Sequence, residues 1–389
     1  MIGSQVEVRP EVRGSVPVFL GVITGLICLV GLSFGLHSML VGHEHTFGTS
    51  REVPWGILIA SYVLFACLST GLCIISSMGQ IFKVQLFKPL VRRTVFLAII
   101  TMAAGLLSIT LELENPWRVG IFSLFSPHPQ SNIWWKSTIY SFFLFLMLFN
   151  MIYLLQGRQN IAFRFGLAAL IFVTLANLNM NSDMALLGSR GFWREQYMPL
   201  FFLTLSVLSA CGAVMFFTWL SHFIRGQEIS GDTRLALTGI AKLAVSLLAV
   251  SLFFVMFKVL SGIGLVPTNN PEAMDLLVKG DFALNFWIGE VGLAVVLPLL
   301  LLVVTRLDSP EMMALAGIST LAGIFVIFYD LSIVGQLIPH YAAYNIVDLP
   351  KYYSYSPSLH EIMITLGGVA FAFSAFFFGE TLFTRFRNR

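Results

Sequence analysis

Long apolar runs separated by short polar connections dominate the chain. Ten of them reach the length that a bilayer crossing requires: 17–41, 54–81, 93–111, 134–156, 162–180, 198–222, 239–263, 284–305, 312–338 and 361–384. A hydrocarbon core needs about 20 mostly apolar residues in a helix. The fifth run is the least regular, because Asn177, Asn179 and Asn181 crowd its end. Inside lipid an open segment must satisfy its own backbone, so each run is expected to be a helix. The expected fold is therefore all-α, a polytopic membrane protein with about ten transmembrane helices. The N-terminal MIGSQVEVRPEVRGS is polar. The apolar run after it is too long for a signal peptide and lacks a small-residue cleavage site, so it reads as the first span.

Composition sharpens this picture. Of 389 residues, 57% are hydrophobic, 14% aromatic and 11% charged, against about 25% charged in soluble domains. The mean hydropathy of +0.84 points the same way. The chain has length for one or two helical bundles and none for a sizeable soluble domain as well. A net charge of +3 implies neither nucleic acid nor an acidic partner. Cys28, Cys67, Cys73 and Cys211 all lie in apolar runs without a C-x2-C ladder, so they read as small apolar residues.

Lys and Arg divide unevenly between the connections. Fifteen fall at the termini and the even-numbered connections, and seven fall on the other side. Both termini are thus expected in the cytoplasm. The opposite connections, rich in Trp, Tyr, Pro and His, would face the periplasm or cell exterior and suit a docking partner. There is no P-loop, no G-x-G-x-x-G after a strand and no H-E-x-x-H. No two His face each other on spans as haem ligands do, and His37 and His222 read as lone interfacial residues near span ends.

Ionisable residues at membrane depth are costly and invite a functional reading. One group sits near the outer ends of spans two to five: Tyr62, Glu112, Glu114, Arg118, His128, Trp134, Trp135, Asn179 and Asp183. The run L-E-L-E-N-P-W-R ends span three, and Pro116 stops that helix just past the acids. The plain alternative is a helix end with solvated acids and an aromatic belt. A second group lies in the later spans: Lys258, Glu290, Asp330 and Glu361. Opposite charges on different spans suggest internal pairing, either as an ion pair that orients helices or as part of a proton or ion route.

These motifs together resemble the NrfD/PsrC family of quinone-interacting membrane subunits, in its ten-span, HybB-like branch. The likeness covers nearly the whole chain. E-V-P-W-G-I-L-I-A-S-Y at 52–62, K-P-L-V-R-R-T at 88–94 and L-S-I-T-L-E-L-E-N-P-W-R at 107–118 resemble family landmarks in order. So do H-P-Q-S-N-I-W-W at 128–135, F-W-R-E-Q-Y-M-P-L-F-F-L at 192–203, F-W-I-G-E-V at 286–291 and Y-S-P-S-L-H-E-I at 355–362. Their order and spacing carry the resemblance.

The resemblance implies two four-helix bundles plus two peripheral helices. A cytoplasmic tail would occupy 1–16 and a peripheral helix 17–41. The first bundle, holding a quinone site, would span 54–180, the second 198–338, and the last helix with its basic tail 361–389. It implies a membrane anchor of a respiratory oxidoreductase in a prokaryotic inner membrane. That anchor would pass electrons between a quinone, menaquinone or ubiquinone, and a ferredoxin-like iron–sulfur subunit. A catalytic subunit, often carrying molybdopterin, would lie beyond it. No haem or iron–sulfur cluster is expected in this chain.

Tyr62 matches a quinone-proximal His of the family, Asn179 falls near a family His or Tyr, and Glu112 and Glu114 match its acidic end of span three. Tyr and Asn can still hydrogen-bond a quinone carbonyl. His128, Trp134, Trp135 and Arg118 would close the slot toward the partner. Two-electron conversion also needs protons, and Glu112, the deeper acid, is the candidate carrier. Lys258 matches a basic residue of the same span in HybB-like members, and Glu290 and Glu361 match recurrent acids. A span-nine basic residue of some members is Phe328 here, with Asp330 nearby. The alternatives are a secondary transporter or ion channel and a cytochrome b-type subunit. The first lacks paired Gly/Pro-broken helices in matching halves, and the histidine census opposes the second.

Overall fold

In a computed structural model of the chain, residues 15–186, 191–195, 197–229, 231–268, 270–339 and 350–387 are described. Ten helices among them are long and apolar enough to cross a membrane: Val16–Val41, Ile57–Gln80, Gln85–Glu112, Asn132–Leu155, Gln159–Met180, Met198–Arg225, Gly231–Gly262, Asn285–Val304, Pro310–Leu337 and Leu359–Leu382. They are numbered here as spans one to ten. No strand occurs among the described residues. The protein is an all-α integral membrane protein. The near face is the one at which span one starts and span ten ends, and the opposite one is the far face.

Local signals set the helix limits. Span three is led in by a tight turn, Gln85–Leu90, that accommodates Pro89, so it starts before its apolar run. Ser131, Asn270 and Ser309 cap their helices by accepting from Trp134, Ala273 and Met312 amides, as N-cap side chains do. Gly226 ends span six in the left-handed conformation at φ 60°. The crowded asparagines do not end span five, whose helix runs on to Leu186. Short helices at His43–Thr46, Pro116–Phe125 and Pro271–Val278 lie in connections.

Span two is buried along most of its length and packs on spans three, five, six and nine. Spans four and five form a hairpin beside it, with Tyr153 and Phe149 stacked on Phe165. Gln80 and Asn150 exchange two amide hydrogen bonds, at 2.8 and 3.2 Å, between spans two and four. Span nine packs on six and eight. Span one lies almost wholly along span ten, backbone against backbone where Gly31 meets Gly367. Small residues permit such an approach between membrane helices.

His37 is not the lone histidine expected. Its Nδ1 meets Nε2 of His360 at 3.1 Å across spans one and ten. The two are far apart in sequence, which is why the pair was invisible there.

Candidate functional site

Tyr62 is buried in span two, edge-on to Tyr140 of span four with ring centroids 6.4 Å apart. Asn177, also buried, donates to the Ser206 hydroxyl of span six at 3.1 Å. Asn179, half-buried, follows half a turn farther along span five. Phenols and amides thus sit within apolar walls in the far-face half of spans two, four, five and six. Gly105 of span three backs onto this point: a methyl there would lie 3.6 Å from the Tyr62 carbonyl oxygen. Glu112 is two turns beyond Gly105, which sets its Cα about 10 Å nearer the far face, while its side chain leans back along the helix toward this point. The side chain of Asp183 lies outside the described residues.

The connection after span three folds on itself. The Trp134 indole donates to the Ser123 carbonyl at 3.0 Å and the Trp135 indole to the Pro129 carbonyl at 2.8 Å. His128 Nδ1 meets the Ser126 carbonyl at 2.5 Å. Glu114, Arg118, His128 and Trp135 are exposed, and no residue of the helix Pro116–Phe125 is buried. These side chains form a far-face cap over the ends of spans three and four.

Glu361, expected in a proton route, sits in a hydrogen-bonded clasp. Ser358 and Glu361 form a capping box: the Ser358 amide donates to Oε2 at 2.9 Å, and the Glu361 amide donates to Ser358 Oγ at 3.2 Å. The same carboxylate accepts from the Gly48 amide and from the Tyr355 hydroxyl, both at 2.8 Å, and that hydroxyl accepts from the Ile57 amide. A methyl on Gly56 would stand 2.5 Å from the Tyr355 hydroxyl, which accounts for the glycine of the P-W-G run. Burial and the adjacent Glu361 push the Tyr355 phenol up, so it stays protonated as a donor. Glu112 lies near enough to Glu361 to feel its charge. His43 bonds the Glu112 backbone, and burial pushes its imidazole down against an opposing pull from Glu114.

The second group comes together as three of its four members. Lys258 Nζ lies 2.6 Å from Glu290 Oε2 with both side chains almost fully buried. Asp330, fully buried, accepts from the Asn285 amide at 2.8 Å and reaches Glu290. All three lie within about 10 Å of the far-face ends of spans seven, eight and nine at a helical rise of about 1.5 Å per residue. Span eight is wound as a π-helix over Asn285–Val296, for example from the Leu297 amide to the Gly292 carbonyl. Such widened turns are uncommon and concentrate at functional sites. Gly289 against Val326 and Gly323 against Ala294 let it press on span nine, and the Ser319 hydroxyl donates to the Leu293 carbonyl at 2.8 Å. A cavity for about one water molecule lies beside Lys258 and Glu290, walled by Leu205, Leu208, Val255 and Ile327.

Sequence reasoning missed an ionic knot at the near face. Glu380 of span ten accepts from Arg225 at 2.5 Å and from the Ser221 hydroxyl at 2.6 Å, and stands 3.6 Å from Arg93. The sequence places both arginines in the topology count, and Arg93 also in the K-P-L-V-R-R-T run, without marking their shared partner. It also missed Glu195, a buried carboxylate that accepts from the Thr268 hydroxyl.

Residues 45–340 match the family model described as Polysulphide reductase, NrfD. The chain is 26% identical over 358 residues to a selenate reductase subunit of Mesobacillus selenatarsenatis, covering 80% of this chain and 82% of that one. It is 24% identical over 371 residues to the Hdr-like menaquinol oxidoreductase integral membrane subunit of Archaeoglobus fulgidus, covering 92% and 91%. With three quarters of its length matched to that one family, and ten apolar helices to carry it, the chain belongs to the NrfD, or polysulphide reductase, family of membrane proteins.

Proposed function

We propose that this chain is the quinone-reactive membrane subunit of a respiratory oxidoreductase complex, linking the quinone pool to an iron–sulfur partner. The observation that carries this reading is the polar set of buried Tyr62, Tyr140 and Asn177 with half-buried Asn179, held in apolar walls in the far-face half of spans two, four and five. A quinone ring asks for an apolar slot with a few fixed hydrogen-bonding groups, and these residues fit that demand. The menaquinol named for the Archaeoglobus relative supports the same class of ligand. When bound, a quinone or quinol supplies two-electron chemistry coupled to two protons. Tyr62 and Asn179 would hold the carbonyl oxygens, and the apolar walls would keep water out. Glu112, lying outward of them beside His43, would exchange protons with the far-face solvent.

The fifteen-to-seven excess of Lys and Arg supports a cytoplasmic near face in a prokaryotic inner membrane. The far-face cap at 112–135, with exposed Arg118, His128 and Trp135, would then receive the iron–sulfur subunit, together with 181–197. Of that second segment, residues 187–190 and 196 lie outside the described residues. A catalytic subunit, possessing molybdopterin in many such assemblies, would follow. Lys258, Glu290 and Asp330 would serve a proton role in the later spans.

The site is tested by turnover with a soluble quinone analogue. Losing one hydrogen bond to the ring should cost about 1–3 kcal/mol, or roughly ten- to hundredfold in affinity. Tyr62→Phe and Asn179→Leu should each weaken turnover to that extent while the complex stays assembled. Glu112→Gln should slow turnover and leave binding nearly intact. Inhibitor found among spans seven to ten, or at the near face, would defeat the assignment. Cross-links from 112–135 that reach only lipid or another copy of this chain would defeat the docking surface.

A further inference from the structure

We propose that the far-face ends of spans six to nine enclose a hydrated proton site, in which Glu290 and Asp330 share one proton that exchanges with the far-face solvent through Tyr197 and Glu195. The proposal deepens the proton role given to these spans and rests on it only for its use in turnover.

Unmet hydrogen bonds locate the site. Glu290 Oε1, Asp330 Oδ2 and the hydroxyls of Tyr197 and Ser261 are buried without a partner among the described residues. A buried group left unmet costs about 1–3 kcal/mol, and proteins commonly meet that need with ordered water. These four come from four different elements gathered around one lysine. The cavity beside Lys258 and Glu290 has room for about one such water.

Charge then requires a proton. Lys258 carries one positive charge against the two carboxyl groups of Glu290 and Asp330. No other Asp, Glu, Lys, Arg or His side chain is buried in spans six to nine among the described residues. Two carboxylates within reach of each other repel unless a donor lies between them. The ammonium already serves Glu290 Oε2, and the Asn285 amide serves Asp330 Oδ1. A proton on either acid supplies the donor that the other two oxygens lack.

The packing gives this proton one direction to leave. Tyr197 lies near enough to both Glu195 and Glu290 to feel their charges, and its hydroxyl is buried with a hydrogen bond to spare. Its ring is held by Phe254 and Phe257, with centroids 5.6 and 4.9 Å away, and Lys258 lies 5.1 Å over the neighbouring Phe201 ring. Burial and the two acids push the phenol up, so it works as a hydroxyl and not as a phenolate. As its oxygen accepts a proton from the carboxyl side through water, its own proton passes through a second water to Glu195, and the reverse restores it. Toward the near face the cavity wall is apolar apart from Ser251, at Leu205, Leu208, Val255 and Ile327. The deeper hydroxyls of Ser251 and Thr320 are spent on their own helices, on the Leu247 and Ala316 carbonyls. The site therefore opens to one side and does not cross the membrane.

Infrared spectroscopy of the full chain in liposomes reads this proton without any turnover. The wild type should show the carbonyl stretch of a protonated carboxyl, and Glu290→Gln and Asp330→Asn should each remove it. Tyr197→Phe and Glu195→Gln should keep the band and slow its shift in heavy water by about tenfold or more, as the loss of a placed proton carrier does. Exchange should be faster when heavy water is added at the far face. Absence of the band, exchange unchanged in both relay variants, faster exchange from the near face, or a band displaced by sodium would each overturn the proposal. If the band behaves as expected and turnover still moves no protons in sealed vesicles, the site stands and its role in turnover falls.

Discussion

Replacing Lys258 with methionine should destabilise the protein by about 3–5 kcal/mol, the usual consequence of removing one partner of a buried ion pair. The ammonium stands 2.6 Å from Glu290 Oε2, and both side chains are nearly inaccessible. Methionine fills much of the same space but offers no charge and no donor. Glu290 and Asp330 would then face each other with the Asn285 amide as their one donor among the described residues. Pairing the change with Glu290→Gln removes the stranded charge and should recover more than half of the loss. Thermal unfolding of the purified variants in one detergent measures both. Equal losses in the single and double variants would show that the pair is not energetically coupled.

The ten spans were legible because a bilayer imposes a length, and length is visible in a row of apolar letters. Their edges were less so. Span seven begins at Gly231, ahead of its apolar run, because a helix continues through Asp232 and Arg234 wherever its backbone can still bond. Lys258, Glu290 and Asp330 stood out for the cost of placing charge at depth. Their partners did not: Asn285 is an ordinary polar residue at a span edge, and the π-helix that aims Glu290 leaves no mark in the apolar period. Glu361 was noticed as a buried acid, and its capping box is a local S-x-x-E signature at Ser358 to Glu361. What turned it into a clasp was the Gly48 amide, 313 residues away, and no local pattern announces a contact of that range. Tyr62 and Asn179 were placed in one half of the membrane by counting from helix ends. Counting could not show that the Glu112 backbone lies two turns beyond the point where span three crosses span two, since that depends on how the two spans slide past each other at Gly105.

A methyl group at Gly71 should force spans two and six apart. Gly71 of span two lies directly on the backbone of span six, and an added Cβ would overlap the Ser206 carbonyl and sit 2.5 Å from its carbon. Neither atom is the end of a flexible side chain, so the two helices would have to part. Overpacking of this kind costs about 1–3 kcal/mol where neighbours can yield, and a backbone neighbour yields least, so about 3 kcal/mol or more is expected for Gly71→Ala. The shift would also draw Ser206 away from Asn177, whose amide it accepts at 3.1 Å, and so disturb the polar set proposed to hold a quinone. Gly120→Ala is the matched control, because nothing lies within 4 Å of a Cβ there. Thermal unfolding together with quinone-analogue affinity should show both quantities falling for Gly71→Ala and neither for Gly120→Ala. A Gly71→Ala protein as stable as the wild type would mean that spans two and six do not meet at this point, and the joint between the early and later spans would have to be drawn elsewhere.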